Sequence, residues 1–278
     1  MAGSKTFRSS RIHFGSYHLA WRQEKHMSNF NVADYFGTRK VLDKGHIELI
    51  DGMVCDPKLK IVNAARVSFN KQVSELTEKD IKLITFLHTH EHYSTFRHSY
   101  FSFRIKAPLL VFKQFWKYQI GCDWIENENV GTIEMPETNY NEMSGRYVQF
   151  QPEFYIPEEI RIQSKNNKQG SEGKLLSLPD GEDPVVYFEQ SCNLLYERYK
   201  YMTDAGAAKE QARALLPVNI YSECIWTCSL QCLLYVLHQR LKSDAQFEIR
   251  QYALALLSLV SPILEPLEIV AKTSITHG

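Results

Sequence analysis

The sequence predicts an α+β fold in which a sheet is flanked by helices and the C-terminal half of the chain is helical. Segments that alternate polar and apolar residues lie in the first half, whereas the last third carries apolar residues at helical spacing. With 278 residues, of which 44% are hydrophobic and 12% aromatic, the chain can bury a substantial core.

Charge and composition exclude several classes of protein. Lys+Arg and Asp+Glu both number 32, so no net charge attracts nucleic acid or a membrane, and an anionic ligand requires a local cluster of cations. No apolar run reaches the roughly 18 residues of a membrane span. The N-terminal segment lacks the apolar stretch of a secretory signal. We therefore expect a cytoplasmic protein without nucleic-acid or membrane partners.

The N-terminal half divides into an extension and the start of a folded domain. In residues 1–39, Lys and Arg outnumber Asp and Glu, which indicates an N-terminal extension, and a single domain is expected over 40–278. The stretch His46–Val54 alternates and contains Asp51-Gly52, a signal for a turn. Residues 62–68 resemble a buried segment with a polar end.

A helix, a strand and a second helix are expected next. Thr77 is suited to cap a helix whose apolar residues follow at helical spacing. Strict alternation over Tyr100–Lys106 predicts a half-buried strand. Pro108 suits the first turn of a helix over Leu109–Ile120.

Two polar loops and a series of helices complete the prediction. Residues 120–140 look like an inserted loop, and 163–182 are expected to form a mobile surface loop. Asp183-Pro184 opens a helix that ends before Gly206. Three more helices are predicted, over Lys209–Leu216, Cys224–Lys242 and Ala245–Leu264.

Three cysteines in the last third invite a metal or redox interpretation. Cys224, Cys228 and Cys232 recur every fourth residue, which places them on one stripe of the predicted helix. A zinc site more often pairs cysteines two residues apart. Core packing is therefore the favoured interpretation, with metal or redox chemistry as the alternative.

Residues 141–147 form the densest chemical motif of the chain. A carboxylate (Glu142), a hydroxyl (Ser144), a glycine (Gly145) and a guanidinium (Arg146) lie within five positions. A guanidinium offers phosphate a planar pair of donors, and the carboxylate and hydroxyl can bond a polar ring. A turn with a surface ion pair is the alternative.

Other polar residues are open to two interpretations. Gln114, Lys117 and Tyr118 form a polar stripe that either faces solvent or lines a site. Arg213 and Arg240 lie in mostly apolar stretches, where an arginine is either an ordinary surface cation or a partner of an anion. The run His88–His92 lacks further ligands at diagnostic spacing, so no metal site is expected.

The chain resembles the flavin-dependent thymidylate synthases of the ThyX family from about Val41 to Ala271. The matching segments include Lys106-Ala107-Pro108, Asn141–Tyr147, Glu153–Pro157 and Ala245–Ile249. The resemblance implies a ThyX-like fold, a homotetramer with shared active sites, and the substrate dUMP. It also implies FAD, NADPH and methylenetetrahydrofolate, with the folate as source of the one-carbon unit added to C5 of the uracil ring. Ser144 is not expected to act as a covalent nucleophile.

The resemblance also implies roles for individual residues. On the nucleotide side it points to Gln114, Lys117, Glu142, Met143, Ser144, Gly145, Arg146, Arg213 and Arg240, with Arg240, Glu142 and Ser144 closest to the chemistry and Arg240 favouring ionised uracil N3. On the cofactor side it points to Ser68, His92, Ser94, Lys117, Tyr118, Gln119, Glu142, Ser229, Gln231 and Tyr235.

The cofactor side departs from the family pattern. Lys117-Tyr118-Gln119 stands where the family has Arg-His-Arg, and Ser229, Gln231 and Tyr235 stand where it has Asn, Arg and Asn. We therefore expect FAD to be bound more loosely than is usual. Two alternatives to thymidylate synthesis remain open: methylation or hydroxymethylation of another pyrimidine nucleotide, and non-catalytic nucleotide binding.

Overall fold

The computed structural model describes residues 30–53, 55–118, 140–168 and 170–267 and has an α+β fold, as predicted. The strands are β1 (Gly37–Val41), β2 (Gly45–Gly52), β3 (Tyr100–Pro108), β4 (Tyr140–Glu142), β5 (Arg161–Gln163), β6 (Ser171–Lys174) and β7 (Tyr221–Ser229). The helices are α1 (Pro57–Arg66), α2 (Glu78–Thr89), α3 (Leu109–Phe115), α4 (Pro184–Asp204), α5 (Lys209–Ala212), α6 (Leu230–Arg240) and α7 (Phe247–Leu264). Short 3-10 helices cover Val32–Tyr35, Val67–Phe69, Tyr93–His98, Trp116–Tyr118 and Arg213–Leu215.

The main sheet is antiparallel, with strand order β1-β2-β3-β7-β4. Its central pair is β3 with β7, in register from Tyr100 opposite Ser229 to Pro108 opposite Tyr221. The predicted alternation of β3 is confirmed, because Phe101, Phe103 and Ile105 are buried on one face. An antiparallel sheet with one polar face needs helices on the other face only.

Helices α6 and α7 cover the apolar face and form the main core. Their buried side chains join Ile47, Leu49 and Phe103 of the sheet in one continuous cluster. Among the described residues, α7 is the one helix long and apolar enough to span a membrane by length and composition, yet half of it is buried inside the protein. The inner face of α7 is that of a core helix.

A second, smaller cluster lies beneath the motif at 141–147. Phe150, Phe154, Cys192 and Ile220 are buried together, and Met143 packs against them. Cys192 comes from α4, so this long helix supports the segment that follows β4. The cluster fixes one wall of the candidate site described below.

The predicted helix starts are confirmed at the level of single hydrogen bonds. Thr77 and Asp80 form a reciprocal capping box at the start of α2. The Asp183 side chain accepts hydrogen bonds from the backbone of Val185 and Val186, and α4 ends before Gly206, whose φ is 91°. Glycine adopts that backbone conformation without steric cost.

The helix predicted over Cys224–Lys242 is wrong in its first part. Residues up to Ser229 form β7, and α6 begins only at Leu230. A four-residue spacing fits a strand face as well as a helix face, so Cys224 and Cys228 lie together on the buried side of β7. The helical C-terminal half is therefore interrupted by a central strand, while burial of Cys224, Cys228 and Cys232 confirms core packing.

Several boundaries also differ from the predictions; α3, for example, ends at Phe115 and α5 at Ala212, each before a 3-10 helix. The division between residues 39 and 40 falls inside β1, so the sheet includes residues assigned to the extension. Asp51-Gly52 lies within β2, next to an irregularity in its pairing with β3, rather than in a turn. The loop expected over 163–182 contains β6, which pairs with β5. Residues 30–36 of the predicted arm are described as well and include the 3-10 helix Val32–Tyr35, whereas residues 1–29, the loop at 120–139 and Gln119 lie outside the described residues.

Candidate active site

A cavity of about 570 Å³ opens where β4, α5 and the following 3-10 helix meet. It brings together residues that are far apart in the sequence, because β4 pairs with β7 and α5 lies shortly before β7 in the chain. Its lining includes most of the predicted nucleotide motif and one predicted arginine from elsewhere: Leu109, Glu142, Met143, Ser144, Arg146, Phe150, Glu210, Arg213, Ala214 and Leu216.

The motif that lines the cavity is a turn anchored to the sheet. The backbone N–H of Met143 donates to the carbonyl of Glu223 at 2.8 Å, which extends the pairing of β4 with β7 by one residue. The Tyr147 N–H then donates to the Ser144 carbonyl at 3.1 Å and closes the turn. The motif therefore forms a turn, and this turn lines the cavity.

Gly145 is required at this position because of its neighbours. A Cβ atom there would lie 2.4 Å from the Phe150 ring and 3.4 Å from Cδ of Arg213. The glycine thus lets the turn pack closely against the floor and the far wall of the cavity. Its role is to allow this packing, which was not foreseen from the sequence.

Glu142 is half-buried at the end of β4 and faces both a hydroxyl and a cation. Its Oε1 accepts a hydrogen bond from Ser222 Oγ at 3.0 Å. Burial raises the pKa of Glu142 above its ordinary value, and the Ser222 hydrogen bond and the charge of Arg213 oppose part of that rise. A carboxyl group in this environment can bond polar groups of a ring or sugar.

Two guanidinium groups supply the positive charge of the cavity. Arg146 and Arg213 are exposed, and both line the opening. Arg146 also lies over the Tyr147 ring, with 5.7 Å between Cζ and the ring centroid. Glu210 adds a carboxylate that sequence reasoning missed, since a single acidic residue at the start of a short helix carries no distinguishing pattern.

Gln114 and Arg240 do not line this cavity but form a second cluster. Nη2 of Arg240 donates to the backbone carbonyl of Gln114 at 2.6 Å. Nε2 of Gln114 donates to Oε1 of Gln246 at 2.6 Å. The structure therefore pairs two residues assigned to the same substrate, although they come from α3 and α6. Gln246 was not identified as a member of the site.

The polar stripe on α3 continues into the 3-10 helix Trp116–Tyr118. Lys117 is exposed there, outside the lining of the cavity. The described residues include the backbone of Tyr118 but not its side chain, and they stop before Gln119. Predictions for Tyr118 and Gln119 as cofactor ligands therefore lie outside what the structure describes.

Three residues assigned to the cofactor lie on short 3-10 helices at the protein surface. Ser68 lies in the 3-10 helix Val67–Phe69, His92 caps the 3-10 helix Tyr93–His98, and Ser94 belongs to it; all three are exposed. The exposed ring of Phe86 stacks on His92, with 6.3 Å between the ring centroids. The region offers hydroxyl groups and aromatic faces.

The three other predicted cofactor residues lie on α6 or cap it. Ser229 caps the helix, its Oγ accepting from the N–H of Cys232 at 3.2 Å, and Tyr235 is partly buried. The amide of Gln231 is largely buried, and its Oε1 accepts a hydrogen bond from Nε of Arg97 at 2.6 Å. Arg97 was missed because the contact joins residues distant in sequence.

The chemistry of these residues fits a phosphate-bearing, aromatic cofactor. The exposed Arg97 guanidinium is held from one side by Gln231, and it belongs to the same 3-10 helix as Ser94. A guanidinium and hydroxyls suit a pyrophosphate, and aromatic faces suit a fused ring system. A guanidinium therefore lies beside Gln231, the position at which the family pattern has an arginine.

The described residues offer no clustered metal ligands, and the thiol nearest the cavity motif is buried. No group of three or more His, Cys, Asp or Glu residues is arranged there to hold a metal ion. Burial, with nearby Glu142 and Glu223, raises the pKa of Cys224 to about 12. A thiol with that pKa stays protonated and unreactive at neutral pH.

Comparison with known proteins identifies extensive similarity. Residues 48–264 match the family model described as "Thymidylate synthase complementing protein" (Thy1). A flavin-dependent thymidylate synthase of Kosmotoga olearia is 37% identical over 219 residues, or 78% of this chain and 85% of the relative. One from Thermus thermophilus is 38% identical over 223 residues, or 80% and 74% of the two chains.

A solved structure supports the fold. The crystal structure of PolB, a UMP/dUMP methylase from Streptomyces cacaoi bound with 5-Br dUMP, superposes with a TM-score of 0.66 at 23% identity. The match covers 84% of this chain and 96% of the other. Likeness at this level of identity establishes a shared architecture.

Proposed function

Because the chain belongs to the Thy1 family of flavin-dependent thymidylate synthases, we propose that it methylates dUMP at C5 to form dTMP. The observation that carries this proposal is the cavity in which Glu142, Ser144 and Arg146 converge with Arg213. Two cations beside a hydroxyl and a half-buried carboxyl match a nucleotide with an anionic phosphate and a polar ring.

Arg146 and Arg213 bind the phosphate of dUMP in this proposal. Charge-assisted hydrogen bonds from guanidinium groups to phosphate oxygens are among the strongest in proteins. Glu142, Met143 and Ser144 contact the nucleoside, while Gly145 keeps the turn close to Phe150. Ser144 acts as a hydrogen-bonding group rather than as a nucleophile.

Arg240 promotes the chemical step by its charge. Attack by C5 requires electron density from the N3 side of the ring, and a neighbouring guanidinium favours the ring with N3 ionised. The contact of Arg240 with the Gln114 carbonyl fixes one Nη atom and so restricts how the guanidinium can turn. Arg suits this role because it stays charged when it is desolvated.

FAD is held in this proposal by Ser68, Ser94, His92, Arg97 and residues of α6. When bound, the flavin supplies the reducing equivalents that complete the methyl group. NADPH is the proposed reductant and methylenetetrahydrofolate the proposed one-carbon donor. Arg97 carries the positive charge toward the phosphates of FAD, with Gln231 holding its Nε.

A homotetramer with shared sites accounts for the separation of the two substrate clusters. Gln114 and Arg240 do not line the cavity of their own chain, so we propose that they complete the cavity of another subunit. An exposed apolar face on α4 supports self-association: Leu194, Tyr201 and Met202 line a depression of about 400 Å³. Free buried thiols are compatible with a cytoplasmic setting.

Complementation in thymidine-requiring cells tests the proposed function. Expression of the chain should allow growth without thymidine, and the Arg146→Ala variant at equal expression should support less growth. Failure of the wild-type chain to support growth, while it accumulates as folded protein, would contradict thymidylate synthesis. The experiment needs no assumption about which flavin or reductant is used.

A further inference from the structure

A chain of hydrogen bonds runs from Gln114 to a buried carboxylate. Nε2 of Gln114 donates to Oε1 of Gln246 at 2.6 Å, and Nε2 of Gln246 donates to Oε2 of Glu248 at 2.9 Å. Glu248 is only 4% exposed. Its Oε1 accepts from Nη2 of Arg161 at 2.8 Å and from the hydroxyl of Tyr155 at 3.3 Å.

Glu248, at the far end of these hydrogen bonds, can only accept. Burial on its own raises the pKa of Glu248, but hydrogen bonds from Arg161 and Gln246 and the charge of Arg161 outweigh it and lower the pKa below its ordinary value. Glu248 is therefore ionised at neutral pH, and an ionised carboxylate only accepts hydrogen bonds. The phenol and guanidinium donors hold it in place.

Because Glu248 can only accept, it fixes the donor and the acceptor of each hydrogen bond between it and Gln114. Gln246 must turn its NH₂ group toward Glu248, so its oxygen faces Gln114. Gln114 must then turn its own NH₂ group toward Gln246. The oxygen and the nitrogen of an amide group point in different directions, so Oε1 of Gln114 points away from Gln246. No donor among the described residues reaches this oxygen.

We propose that Gln246 and Glu248 are positioning residues that make Gln114 present its amide oxygen to the nucleotide. Gln114 then accepts a hydrogen bond from a donor of the ligand, which in dUMP is the 3′-hydroxyl or, in the neutral ring as it binds and before its ionisation at the chemical step, N3–H. This inference rests on the proposed function and adds to it the polarity of one contact. Because Arg240 donates to the backbone carbonyl of Gln114, Gln114 is held at both its backbone and its side chain.

Calorimetric titration of the FAD-loaded protein with dUMP tests the proposal. Gln246→Met keeps the length of the side chain but removes both hydrogen bonds, so the Gln114 amide can turn and dUMP affinity should fall about three- to tenfold. Gln246 is exposed, so the melting temperature should change little. Gln163→Met is the matched control, since this exposed hairpin glutamine bonds only backbone carbonyls of its own hairpin.

A double-mutant cycle separates positioning from a general structural effect. If Gln246 acts through Gln114, the Gln114→Met/Gln246→Met double variant should bind dUMP as weakly as Gln114→Met alone. Additive losses would overturn the positioning role. Glu248→Gln should mimic Gln246→Met if it folds, because a neutral amide can donate and allow Gln246 to reverse; Gln246→Met decides the question if Glu248→Gln does not fold.

Two analogues identify the donor on the ligand. dUMP carries two such groups, and removal of the contacted one should abolish the difference between wild type and Gln246→Met. The 3′-deoxy and N3-methyl analogues provide the two arms. A difference that persists with both analogues, or unchanged dUMP affinity in Gln246→Met, would overturn the inference alone, whereas no binding of dUMP by wild type would overturn the proposed function with it.

Discussion

Arg146 and Arg213 provide the sharpest test at the scale of single residues. Both line the cavity, and no other cation of the described chain does. A charge-assisted hydrogen bond contributes about 1.5–3 kcal/mol, so Arg146→Ala should weaken dUMP binding about tenfold or more with the fold intact. Arg39→Ala, on the edge strand β1, is the matched control. Equal dUMP affinity in Arg146→Ala and wild type would remove Arg146 from the site.

Replacement of Arg240 should slow methylation of the uracil ring but not reduction of the flavin by NADPH. Arg240→Ala is expected to lower turnover by orders of magnitude, because the ionised ring loses its neighbouring charge. Oxidation of NADPH by the flavin should continue, since that reaction does not involve the uracil ring. Stopped-flow measurement of both steps checks this expectation, and wild-type methylation by the variant would refute the assigned role.

At the scale of elements, the contact between the 3-10 helix Tyr93–His98 and α6 governs flavin affinity in this account. Arg97→Ala removes the guanidinium that Gln231 holds, and FAD affinity should fall about tenfold or more. Lys82→Ala, an exposed cation on α2, serves as control. Fluorescence titration with FAD measures the effect without any need for turnover. If Arg97→Ala bound FAD as tightly as wild type, the flavin phosphates would have to be held elsewhere.

The elements also show what sequence patterns can and cannot resolve. Helices α2 and α4 were predictable because their caps are local: Thr77 and Asp183 bond backbone groups within three residues. Strand β7 was not predictable, because Cys224 and Cys228 share a face in a strand and in a helix alike. Only the pairing of this segment with β3 decides between strand and helix.

The residues of the candidate site likewise fall into those that the sequence predicts and those that it does not. Residues 142–146 were predictable as a contiguous motif, and the cavity brings them to Arg213. Gln246, Glu210 and Arg97 were not found, because each acts through a contact made only in the folded chain. Sequence patterns carry information on local structure, whereas such contacts depend on how the elements pack.

At the scale of the whole molecule, flavin occupancy should be incomplete in the purified protein. Gln231 carries no charge, and Arg97 compensates from an exposed position. We expect a weakly coloured or colourless preparation whose melting temperature rises when FAD is added, because a ligand that binds only the native state stabilises it. Riboflavin, which lacks the pyrophosphate, should give a smaller shift. Saturating FAD without a melting shift, bound visible absorption or NADPH oxidation would contradict a flavoenzyme.

Product analysis shows directly whether this chain converts dUMP to dTMP with the help of a flavin. The purified protein is incubated with methylenetetrahydrofolate, NADPH and either dUMP, UMP or dCMP, with and without added FAD, and the nucleotides are resolved by mass spectrometry. We expect dUMP to be the preferred substrate, the product to co-migrate with dTMP, and the yield to increase when FAD is added. Preferential alkylation of UMP or dCMP, a hydroxymethylated product, or unchanged dUMP in the presence of bound FAD would contradict this expectation.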